Sequence, residues 1–115
     1  MRRMTLNETW VNCLKQWRWI VRQVKAAKAK RKGWDVDDLK DEWIEKQGYG
    51  LWGIKNYCFF CDWNVRYTTN NCARCPGALI EKGWQCCNSK HYWPVRPIEF
   101  LAELNRLNRI RKGKK

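Results

Sequence analysis

The chain has 115 residues, of which 44% are hydrophobic and nine are Trp. A chain of this size favours one domain and has enough apolar area for a core, which excludes wholesale disorder. Its net charge of +13, from 24 Lys and Arg against 11 acids, favours a polyanionic partner, nucleic acid before a membrane.

No stretch approaches the roughly 18 apolar residues of a membrane span. The N-terminus "MRRMTLNETWVN" lacks the apolar run of a secretory signal, so a cytoplasmic protein is expected, with reduced thiols. Seven Cys is an odd number that cannot all pair within one chain, which makes disulfides the minor reading. In that compartment Asn7-Glu8-Thr9 is a chance match to a glycosylation triplet.

Taken in chain order, Thr5-x-x-Glu8 fits a capping box and predicts a helix from Leu6 to Lys32. Trp10, Leu14, Trp17, Val21 and Val24 recur at steps of three or four, with Cys13 and Ile20 widening a stripe that should be buried. Cys13 then reads as a small core hydrophobe. Thr9 to Trp34 contains eight basic residues and no acid. Arg18, Arg22 and Lys25 fall beside the stripe and Lys15 lies further round. Beyond Val24, "KAAKAKRKG" should project from the core or fray, with Gly33 taking the left-handed conformation that ends the helix. Trp19 lies nearly opposite the stripe, either covered by another segment or exposed for binding.

Asp35 can cap a second helix, Val36 to Lys46, with Val36, Leu39 and Trp43 on one face and Gly48 as its stop. Asp35 to Glu45 holds six of the eleven acids. They suit the helix's own N-terminus and could face the basic first helix, an intramolecular role preferred to catalysis.

Residues 49–93 contain every Cys but Cys13, and β-prone pieces such as "WNVRYTT". Two or three short strands and tight turns around a central staple are expected. In "CFFCDWNVRYTTNNCARCPG", two Cys-x-x-Cys turns can direct four thiolates, Cys58, Cys61, Cys72 and Cys75, at one Zn²⁺. Cys86, Cys87 or His91 could replace one of them. An iron–sulfur cluster is the competing occupant, but nothing else in the chain points to electron transfer. Four thiolates close the metal to substrate, and no phosphate-loop, zinc-protease or deaminase signature is present, so no enzyme is expected.

Pro97 fits the first position of a third long helix, to Lys112, with Ile98, Leu101, Leu104 and Leu107 apolar, and "RKGKK" should be a mobile tail. The expected fold is α+β and mainly helical: a long N-terminal helix, a second short helix, a small zinc-stapled β/turn module and a C-terminal helix. It forms one domain, 1–115, with a helical part at 1–48, a zinc module at 49–93 and a helix with basic tail at 94–115.

"CFFCDWN", "CARCPG" and "CCNSKHYW" resemble the C-x-x-C, C-x-x-C-P and later Cys–aromatic signature of small proteins of tailed bacteriophages. The resemblance covers Cys58 to Trp93. It implies a phage-encoded, zinc-stabilised accessory protein acting in the bacterial cytoplasm, and carries no established activity.

The expected function is nucleic-acid binding through Lys15, Arg18, Arg22, Lys25, Lys28 and Lys32 on the first helix. Arg66 and Arg74 near the metal would add to that surface, as would a C-terminal set of Arg106, Arg109, Arg111, Lys112, Lys114 and Lys115. The alternative is a module that binds and inhibits or redirects a host transcription, replication or defence protein, with Trp19, Trp52, Trp63 or Trp93 as anchors.

Overall fold

The structure, a computed structural model, describes residues 4–49, 59–67, 75–86 and 88–113. The expected capping box starts its longest helix, α1, Leu6–Ala29. Thr5 Oγ1 accepts from the Glu8 N–H at 3.1 Å and Glu8 Oε1 accepts from the Thr5 N–H at 3.0 Å, so two otherwise unpaired donors are satisfied reciprocally. The predicted stripe from Trp10 to Val24 is buried, Cys13 included. Thr9 and Gln16 are buried with it, and Thr9 Oγ1 donates back to the Thr5 carbonyl at 3.0 Å.

α1 ends three residues before the predicted Lys32. The Lys32 N–H donates to the Ala27 carbonyl at 2.8 Å and the Arg31 N–H to Lys28 at 3.1 Å, the paired bonds of a Schellman stop. The left-handed residue is therefore Arg31, at φ 53°, and not Gly33. With no large apolar side chain after Val24 to hold it, the helix closes before it reaches the glycine.

α2, Val36–Lys46, begins where Asp35 Oδ1 accepts from the Asp38 N–H at 3.1 Å. Its stop is the expected one: Gly48 has φ 79°, the Tyr49 N–H donates to Ile44 at 2.9 Å, and the Tyr49 ring stacks on Trp43. Val36, Trp43 and Ile44 are buried against α1, and Leu39 is half-buried.

The β module is overturned. Among the described residues there is no strand, and the described parts of 59–91 form α3, Phe59–Tyr67, a short α4, Pro76–Ile80, and a 3₁₀ turn, Ser89–His91. Five of the seven residues of the β-prone "WNVRYTT" lie within α3. Burial outweighs local propensity here: Phe59 packs edge-on to Trp43 with centroids 5.7 Å apart, and Phe60 packs edge-on to Trp10 at 4.7 Å. The fold is mainly helical without a sheet in its described part.

Pro97 opens α5, Pro97–Gly113, which continues through Arg111 and Lys112, residues expected in a mobile tail; Lys114 and Lys115 lie outside the described residues. Phe100, Leu104 and Leu107 are buried, while Ile98 and Leu101 are half-buried. α1 is the central element, packed against α2, α3 and α5. Trp17 meets Phe100 at 4.6 Å and Trp93 at 6.3 Å, joining α1 to α5 and to the segment before it. No helix among the described residues is long and apolar enough to cross a membrane.

Candidate nucleic-acid interface and metal centre

Because burial fixes the face of α1 that carries Trp10, Trp17 and Val24, it also fixes the face turned to solvent. Lys15, Arg18, Arg22 and Lys25 are all exposed. They follow each other at steps of three or four and share about a quarter of the helix circumference. Among the described residues none of the four makes an ion pair: the pairs present are Lys46 with Glu42 and Arg106 with Glu81 and Glu103. Lys28 is exposed and lies 6.0 Å from the Trp34 ring. Lys32 is exposed beyond the helix end, together with Lys30 and Arg31, which sequence reasoning had not included in the basic surface.

The acidic block does not neutralise this row. Asp37, Asp38, Asp41, Glu42 and Glu45 are exposed on α2, and its only ion pair among the described residues is internal, Lys46 Nζ to Glu42 Oε1 at 3.3 Å. α2 does settle Trp19: the indole is half-buried, with Lys46 Nζ 5.2 Å from its centre, so another segment covers it.

The C-terminal cations are differently placed. Arg109 is exposed, but Arg111 is half-buried. Its guanidinium donates to Asn108 Oδ1 at 2.8 and 3.2 Å and to Asn7 Oδ1 at 3.1 Å, and lies 5.0 Å from the Trp10 ring. Burial lowers its pKa. Arg111 thus docks α5 on α1. Arg106 bridges Glu81 and Glu103, with Nε 3.0 Å from Glu103 Oε2, and these carboxylates raise its pKa further. The Arg66 side chain and all of Arg74 lie outside the described residues.

Of the metal candidates, Cys58, Cys72 and Cys87 lie outside the described residues. Cys61 is half-buried in the first turn of α3; Cys75 is the N-cap of α4, and both Cys75 and Cys86 pack partly against the core. No group of three or more His, Cys, Asp or Glu converges among the described residues. His91 is buried, stacked on Trp84 at 5.6 Å, with Nε2 2.8 Å from the Gln85 carbonyl. In the neutral ring Nε2 must donate to that carbonyl, which leaves Nδ1 as the bare nitrogen available to a metal.

Sequence reasoning missed Lys40. Only 2% exposed, it lies with Nζ 4.0 Å from the centre of Trp93, a close cation–π contact. Its spacing from Val36 and Trp43, four before and three after, placed it on the apolar face and was the available signal.

No protein-family model, curated protein or solved structure matches the chain.

Proposed function

We propose that this protein is a zinc-stabilised, non-enzymatic accessory protein that binds nucleic acid through α1. The observation that carries the reading is the unpaired row Lys15, Arg18, Arg22 and Lys25, left exposed with no ion pair to the acids of α2. Cations not neutralised within the chain are available to displace counterions from phosphates. Lys28, Lys30 and Lys32 extend the charge, and Arg109 adds to it at the other end of the chain. Arg106 and Arg111 are left out because their guanidinium groups already serve the fold.

Zn²⁺ on Cys58, Cys61, Cys72 and Cys75 is part of the same proposal, supported by the spacing of the two Cys-x-x-Cys turns and by the position of Cys61 and Cys75 at the starts of two helices. Four thiolates would make the metal a structural clip. A phage origin rests on the likeness of Cys58 to Trp93 to small phage proteins.

A mobility-shift titration at low salt tests the binding. Retardation of nucleic acid that fades as salt rises is expected; no retardation of either DNA or RNA sinks the reading. Metal analysis of the purified chain tests the clip. One Zn²⁺ per chain, reduced by Cys61→Ser, is the expected result.

A further inference from the structure

We infer that the partner is a double-stranded nucleic acid, gripped through its phosphates along α1, an inference that rests on the nucleic-acid reading above. Lys15 to Lys25 spans about 15 Å of a straight helix. Its inner face is locked by Trp10, Trp17, Ile20 and Val24, all at most 3% exposed. The cations therefore stand on a preformed rod that does not bend to follow a flexible chain. A duplex offers phosphates at fixed intervals on a stiff surface, with about one charge per 1.7 Å of axis. A single strand offers no such fixed array.

Proteins that hold single strands add aromatic platforms on which bases stack. Among the residues whose side chains are described, the aromatics of α1 and the one just beyond its end are taken. Trp19 lies under the Lys46 ammonium, Trp17 is buried against Phe100 and Trp93, and Trp34 is half-buried against the core beneath Lys28. Among the residues whose side chains are described Tyr92 is the one aromatic that is strongly exposed, and it belongs to the segment between the 3₁₀ turn and α5. The exposed neighbours of the row on α1 are Val11, Ala26 and Ala29, which offer no base a ring to lie on.

α2 adds a boundary. It lies along the Trp19 side of the row, and its outward side chains are Asp37, Asp38, Asp41, Glu42 and Glu45, with Lys46 as the one exposed cation among them. These repel phosphates, so a polyanion meets the row from one side and cannot wrap it. A one-sided ridge whose described neighbours offer no stacking ring suits the outside of a duplex.

Fluorescence anisotropy of the full chain with a labelled mixed-sequence duplex about two helical turns long, and with its separate single strands, decides the matter. The duplex should bind at least about tenfold more tightly than either strand, with log affinity falling against log salt at a slope near −3 to −4 for four phosphate contacts. Arg18→Gln with Arg22→Gln, both at exposed positions, should bring that slope closer to zero by about two and weaken duplex binding, with the helical circular dichroism unchanged. Equal or tighter binding of a single strand, removed by the same two substitutions, would overturn the duplex inference and leave the nucleic-acid reading standing. An unchanged duplex slope in the double variant would overturn the placement on α1. Absence of binding to every probe would overturn both.

Discussion

Helices α1 and α5 take their buried faces from a repeating apolar pattern, whereas the described parts of the segment from Phe59 to Trp93 are held by single large side chains set into the core that α1, α2 and α5 make. α1 contributes seven buried apolar residues from Trp10 to Val24 at steps of one or three. The later segment contributes Phe59, Phe60, Trp84 and His91, each in contact with a ring of the frame: Phe59 with Trp43, Phe60 with Trp10, and both Trp84 and His91 with Phe100. A repeated stripe spreads stability over many contacts, while a few anchors concentrate it. The proposed zinc would join the segment to itself, and these rings join it to the frame.

Trp10 is the side chain on which the two regions meet, fully buried between Phe60 and the Arg111 guanidinium. Trp10→Ala should lower unfolding free energy by about 3–5 kcal/mol, measured by denaturant titration. A loss below about 1 kcal/mol would mean that the segment does not depend on this face of α1.

Gly77 offers a smaller test confined to the segment. A Cβ there would lie 2.4 Å from Cε3 and Cζ3 of Trp84. That ring has little room to retreat, because it stacks on His91 and its Nε1 donates to Glu103 Oε1 at 3.1 Å. Gly77→Ala should cost about 1–3 kcal/mol through overpacking. Amide exchange should quicken in α4 and the 3₁₀ turn while α1 keeps its protection; equal loosening of α1 would erase the distinction between frame and segment.

The same division explains what was legible from the sequence. α1, α2 and α5 could be placed because Thr5, Glu8, Asp35, Gly48 and Pro97 mark their ends and apolar residues recur at helical spacing between them. α3 could not, because Phe59 and Phe60 are adjacent and reach two different partners, Trp43 and Trp10, which sequence distance conceals. Exposure of the Lys15 to Lys25 row followed from the stripe on the other side of the helix. The withdrawal of Arg106 and Arg111 did not, since their partners include Glu81, 25 residues away, and Asn7, 104 residues away. Charge composition names cations; only tertiary contacts show which of them are already occupied.

The smallest expected effect concerns the polar link between α5 and the segment. Glu103 accepts from Arg106 and from the Trp84 indole, and its pKa is lowered mainly by the hydrogen bond from Arg106, against the opposing effect of burial, with the charges of Arg106 and His91 and the Trp84 N–H adding to the lowering. A carboxylate held below its unfolded value, about 4.3, contributes stability that is fully present above that pH and is lost as pH falls through the folded pKa. The stability difference between the native chain and Glu103→Gln should therefore be constant at neutral pH and shrink under acid, below about pH 4. Because Gln can still accept from the Trp84 N–H, the variant isolates the charged link from the packing of the ring. Parallel stability curves for the two chains through the acid range would show that the Arg106–Glu103 pair contributes nothing to holding the segment, leaving Phe59, Phe60 and Trp84 as its attachment.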